Sequence, residues 1–128
     1  MVTSCNNGAH YDHDVYRALC PCRDVLDLIA NKWSALAIGA LEDGPLRFGE
    51  LQRRLSGVTP KVLSGTLKRL ETNELISRTV IPQVPLHVEY ELTDLGRSLS
   101  LPLRGIREWT ELHLDDLPIG LTHEPGGA

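Results

Sequence analysis

The sequence predicts a mainly α-helical fold with one small β-hairpin placed ahead of the last helix. Three observations predict it. Apolar residues recur at three- and four-residue spacing through several segments up to Asn73. Cys20-Pro21, Asp43-Gly44-Pro45 and Thr59-Pro60 punctuate those segments at places where a helix should stop or start. The period then switches to two between Ile76 and Thr93.

Residues 1–13 are polar and rich in Gly, Asn and His, which predicts a poorly ordered arm, and Asp14 to Leu19 suits a short helix. Cys20 is placed to cap a helix that Pro21 opens, with Val25, Leu26, Leu28 and Ile29 on one apolar face. Asn31-Lys32 interrupts it, and Trp33, Leu36, Ala37, Ala40 and Leu41 then form a second amphipathic stripe. After Asp43-Gly44-Pro45 a further helical run turns Phe48, Leu51 and Leu55 inward and Arg47, Gln52, Arg53 and Arg54 outward. Thr59 and Pro60 begin the next helix, to about Asn73, with Val62, Leu63, Leu67 and Leu70 expected in the core. Ile76–Ile81 and His87–Thr93 read as two strands joined by Pro82-Gln83-Val84-Pro85-Leu86. Thr93 or Asp94 caps a final helix carrying Leu95, Leu99, Leu103, Ile106 and Trp109 on one stripe, bent or weakened by Pro102 and Gly105.

The 128 residues suit a single domain, and 41% hydrophobic with 23% charged residues is ordinary globular usage. No apolar run approaches the roughly 20 residues of a membrane span. The first residues lack the order of an export signal, so the cytoplasm is the expected location. Net charge is −4, but it is unevenly spread. Between Pro45 and Arg69 stand Arg47, Arg53, Arg54, Lys61, Lys68 and Arg69 against the single acid Glu50. From Glu108 onward there are five acids and no Lys or Arg. A basic middle is where contacts to a polyanion are sought.

Helices followed by a basic-faced helix and a hairpin make a winged helix-turn-helix, and this order suits duplex DNA. A helix fits the major groove, and the hairpin reaches adjacent backbone. Lys61, Ser64, Gly65 and Lys68 share the exposed face of the expected recognition helix (59–73), with Thr59 at its start. Base-edge reading falls to Lys61, Ser64 and Lys68, while Arg47, Arg53, Arg69 and Arg78 are placed to hold the backbone. One such helix reads only a few base pairs, so a two-fold dimer with recognition helices about 34 Å apart on a pseudo-palindrome is expected. The apolar stripes of an N-terminal helix (14–30) and the C-terminal helix (94–114) need covering and are the expected dimer surfaces. The whole chain is then one domain: an arm and short helix (1–19), a winged-helix core (20–93), a dimerisation helix (94–114) and a flexible tail (115–128).

Cys20-Pro21, LDLIANKW ending at Trp33, GPLRFGELQRRLSGVTPKVLSGTLKRLE (44–71) and LISRTVIPQVPLHVEYELTDLGRSL (75–99) together resemble the HxlR-type branch of the MarR-like bacterial regulators. The match runs over roughly residues 20–110, and several motifs agree in order and spacing. The resemblance implies a dimeric transcription regulator, a repressor in this reading, often one that senses oxidants or electrophiles through a cysteine near its N-terminus; that cysteine matches Cys20. Where the family's hairpin commonly carries a basic residue before Val-Glu-Tyr, this chain has His87, which implies weaker or pH-dependent wing contacts.

Three cysteines, Cys5, Cys20 and Cys22, do not read as a structural disulfide framework. A thiol at a helix N-terminus beside Arg23 is more reactive than an ordinary one, which favours Cys20. Cys22 is placed to resolve an oxidised Cys20, although a bridge across one residue is expected to be strained, and an intersubunit bridge is the other route. His10, His13, Cys20 and Cys22 match no compact zinc spacing, so no metal site is expected. No phosphate-cradling glycine loop, nucleophile elbow or paired-carboxylate arrangement stands out, so neither an enzyme nor a cofactor is expected. The alternatives are a regulator switched by a small-molecule effector or a metal, and a winged-helix protein-interaction module that binds no DNA.

Overall fold

The computed structural model describes residues 13–118. Five helices and a three-stranded antiparallel sheet follow in the order α1 (Pro21–Ile29), α2 (Lys32–Ala40), β1 (Leu46–Arg47), α3 (Phe48–Arg54), α4 (Pro60–Thr72), β2 (Ile76–Ile81), β3 (His87–Leu92) and α5 (Asp94–His113). Single 3-10 turns follow α2 (Leu41–Asp43) and α5 (Leu114–Asp116). The strand order is β1-β3-β2. This is a winged helix-turn-helix, mainly α with a small wing, as the sequence predicts.

Local chemistry explains most boundaries. Cys20 is extended and Pro21 occupies the first helical position of α1, where its missing N–H is no loss. The Asn31 side-chain oxygen accepts from the N–H groups of Trp33 (2.9 Å) and Ser34 (3.3 Å), so the break between α1 and α2 is an N-cap. Glu50 accepts from the Arg47 N–H at 2.8 Å and closes the start of α3. Thr59 accepts from the Val62 N–H at 3.2 Å, and Thr93 from the Gly96 N–H at 3.0 Å. The turn out of α4 is a Schellman arrangement, with Leu75 N–H on the Leu70 carbonyl and Glu74 N–H on that of Glu71, both at 2.9 Å. Glu74 holds φ 60° there, a left-handed position usually taken by glycine.

The core lies where α2, α3 and α4 meet the sheet. Ala37, Ile38, Leu41, Leu51, Leu63, Leu67, Leu70 and Ile76 are fully enclosed, with Leu28 of α1 and Leu103 of α5 completing it. Four expectations need correction. Asp14 to Leu19 is not helical but two successive turns, Arg17 N–H to Asp14 carbonyl and Cys20 N–H to Arg17 carbonyl. The Asp14 side chain stabilises the first by accepting from Tyr16 N–H at 3.0 Å, a local bond that competes with a helix. In α2 Ala37 is enclosed as expected, but Ser34 and Ile38 are buried beside it and Leu36 is 37% exposed, because this helix is apolar on nearly all sides and its stripe does not fix its rotation. In α4 Val62 is exposed and Thr66 is buried in its place. Leu46–Arg47 joins the sheet as a third strand, with Leu46 opposite Tyr90 and Arg47 opposite Glu89.

The last helix runs without interruption through Pro102. Proline removes one ladder bond there, and neighbouring hydroxyls return to the backbone, Ser100 Oγ donating to the Arg97 carbonyl at 2.8 Å. α5 is joined to the end of α2 by Glu42, which accepts from Arg104 (3.1 Å) and Arg107 (3.2 Å). Gly39 makes room for this, since a Cβ at that position would strike the Arg107 guanidinium.

Candidate nucleic-acid interface

Helix α4 is the element that the helix-turn-helix presents. Its buried face is Leu63, Thr66, Leu67 and Leu70, so Lys61, Ser64 and Lys68 share the outward face, all exposed, with Gly65 half-buried among them. The Arg69 guanidinium lies back over Gly65; a Cβ on that glycine would stand 3.7 Å from Nη1. Arg53 lies over Gly49 of α3 in the same manner. Thr59 spends its oxygen lone pair on the cap of α4, which orients the first turn that carries Lys61.

Arg78 of β2 is the register partner of Tyr90 of β3, so both side chains leave the same face of the sheet. That face turns toward α4, and Ser64, Lys68, Glu71, Arg78 and Tyr90 line one surface cleft of 360 Å³. Arg47 stands at the other edge of the sheet, opposite Glu89. The fold therefore brings Ser64 and Lys68 together with Arg78. His87 is placed differently: its side chain is only 13% exposed and Nε2 lies 3.5 Å from the Glu89 carboxylate. Tyr90 and Glu71 were not among the expected site residues. No local signal in the sequence reports that the Tyr90 side of β3 borders the recognition helix.

Cys20 is 2% exposed at the start of α1, and its sulfur is bridged to that of half-buried Cys22, with the Cα atoms 5.3 Å apart. Cys5 and His10 lie outside the described residues. Among the described residues no group of His, Cys, Asp and Glu is arranged to hold a metal ion, and no helix is long and apolar enough to cross a membrane.

A second surface is apolar. Val25 and Leu26 of α1 and Leu95, Leu101, Ile106, Trp109 and Leu112 of α5 are exposed, Ile106 by 61% and Trp109 by 52%. Val25 and Ile29 meet Leu95 and Leu99 in a cleft of 290 Å³ between the two helices, floored by Leu75.

Residues 28–117 match the HxlR-like helix-turn-helix family. The helix-turn-helix-type transcriptional regulator YtfH of Escherichia coli (strain K12) is 36% identical over 104 residues, covering 81% of this chain and 82% of that protein. The solved structure of the transcriptional regulator ytfH from Salmonella typhimurium superposes with a TM-score of 0.77 at 38% identity, covering 81% of this chain and 93% of that one. The transcriptional regulator YodB of Bacillus subtilis, in its reduced form, superposes with a TM-score of 0.63 at 34% identity, over 73% of this chain and 92% of its own; it has also been solved after treatment with diamide. With a family match over most of its length, a fold shared with these regulators and a helix-turn-helix at its centre, the chain belongs to the HxlR-like helix-turn-helix family of transcriptional regulators.

Proposed function

We propose that this regulator binds duplex DNA in a sequence-specific manner as a homodimer, with α4 in the major groove and the wing along the flanking backbone. It is read as a cytoplasmic, non-enzymatic repressor, acting by occupying its operator. The observation that carries this is the unbroken outward face of α4: Lys61, Ser64 and Lys68 stand at i, i+3 and i+7, exposed, and lead into a cleft completed by Arg78. Arg47, Arg53 and Arg69 are exposed and add positive charge, Gly65 bears no side chain on the face of α4, and Thr59 holds the first turn. His87, packed beside Glu89, contributes least. Duplex DNA supplies dense negative charge to such a surface. In this reading the chain is one domain whose α1 and α5 carry the partner.

The test is equilibrium binding to duplexes selected from a random pool. Lys61→Ala with Lys68→Ala should weaken binding at least tenfold near 100 mM salt and flatten its salt dependence by about two phosphate contacts at most. Unchanged affinity and salt dependence would leave a winged-helix protein-interaction module as the better reading.

The second part of the proposal is that thiol chemistry at Cys20 and Cys22 controls occupancy. The pair supports it: the two sulfurs lie within bonding reach at the start of α1, the helix that also borders the exposed apolar surface. A two-electron oxidant takes two electrons and two protons from the thiols as the bridge forms. YodB, solved reduced and diamide-treated, is a relative for which thiol oxidation has been probed. A change of an ångström or two in the spacing of the recognition helices suffices to lose register with the groove. Control by a small-molecule effector or a metal is the rival, separated by the Cys20 variant described below.

A further inference from the structure

The cleft between α4 and the sheet holds five polar side chains with nothing to bind inside the chain. Ser64, Lys68 and Glu71 form one stripe of the helix, and Arg78 and Tyr90 face them from paired positions on β2 and β3. Among the described residues none of these five side chains makes a hydrogen bond or ion pair. Lys68 and Glu71, one turn apart, do not pair with each other. The Lys68 ammonium and the Arg78 guanidinium line one cleft, with Glu71 as the single acid beside them. Their donors, with the hydroxyls of Tyr90 and Ser64, suit a group with several acceptor oxygens.

We propose that this cleft seats a single phosphodiester of the DNA backbone, shared by Lys68 and Arg78, with Tyr90 as a further donor. Lys68 then holds the backbone and does not read a base, which leaves Lys61 and Ser64 as the base-facing residues of α4. The site ties the recognition helix and the wing to the same strand and so fixes the angle at which α4 enters the groove. Glu71, an acid on the rim of an anion site, weakens the contact and keeps non-specific binding low. The proposal rests on the DNA-binding reading above.

Lys68 and Arg78 sharing one phosphate makes a prediction that two separate contacts do not. Binding of the full chain is measured against salt for one selected duplex and one of unrelated sequence. Lys68→Gln and Arg78→Gln should each weaken both duplexes about tenfold and lower the salt slope by about one. The double variant should lower the slope little further. Tyr90→Phe, which keeps the ring in place, should weaken binding a few-fold with the slope unchanged, and Glu71→Gln should tighten it. Slopes that fall by about two in the double variant, or a Lys68→Gln protein whose selected sequences change at one position, overturn the shared site while leaving DNA binding intact. Wild-type protein that binds neither duplex overturns both readings. Inorganic phosphate at matched ionic strength should not compete; if it displaces DNA from wild type but not from Arg78→Gln, the cleft is a free-phosphate site and the proposal fails.

Discussion

Two small residues, Thr93 and Gly96, decide how closely α5 meets the base of the wing. Gly96 is buried at the first turn of α5, and a Cβ there would run into the Leu75 carbonyl and stand 3.1 Å from Leu92 Cδ2. Thr93 completes the joint, its hydroxyl donating to the Glu74 carbonyl at 2.6 Å and accepting from Gly96 N–H. Because the obstacle is backbone, Gly96→Ala should destabilise the protein by about 1–3 kcal/mol, measured as a lower denaturation midpoint, and disturb the base of the wing. A midpoint within error of wild type would mean that α5 can shift freely on the sheet. Glu74 illustrates the limit of residue-level reading. Its φ of 60° is a position where glycine is the expected signal, and a glutamate there gives no hint of it.

At the scale of the element, capping and proline chemistry were legible and helix rotation was not. Cys20-Pro21, Thr59-Pro60 and Thr93 mark α1, α4 and α5 because each offers a start that needs no tertiary context. The stripe of α2 predicts Ala37 and Leu41 in the core but not Ser34 and Ile38, because a helix apolar on nearly all sides takes its orientation from its neighbours. Strand β1 was unreadable for a related reason: two residues have no period, and Leu46–Arg47 is a strand only because β3 lies beside it. Under the proposed redox control the switch sits at one end of α1. Wild type should lose at least tenfold in DNA affinity on diamide treatment and regain it with dithiothreitol, whereas Cys20→Ser should bind equally well with or without oxidant. A Cys20→Ser protein that still releases DNA would place the switch elsewhere.

For the whole molecule, the apolar surface of α1 and α5 stays uncovered among the described residues. Val25, Leu95, Ile106 and Trp109 lie outside a core that is already closed by Leu103 and Leu28. Exposed apolar residues grouped on helices are the usual mark of an interface, and in the proposed reading a second copy covers them. If the proposed homodimer forms here, Ile106→Glu should give a monomer in sedimentation equilibrium and weaken DNA binding about a hundredfold or more, because the gain from a linked second half-site is lost. A variant that stays dimeric would move the interface off α5. The ion pairs from Arg104 and Arg107 to Glu42 tie this helix to the end of α2.

The order of helices and hairpin, the caps and the basic segment from Arg47 to Arg69 all follow from short stretches of chain, because capping, proline geometry and apolar period are local effects. Which charges stand together is not local. Lys68 and Arg78 are close only because α4 lies across the sheet, and Tyr90 joins them only because β3 pairs with β2 in one particular register. The His87–Glu89 contact, by contrast, is made between neighbours on one face of the same strand. Backbone chemistry laid down the pieces, and burial of the shared core set the face each piece shows to its ligand.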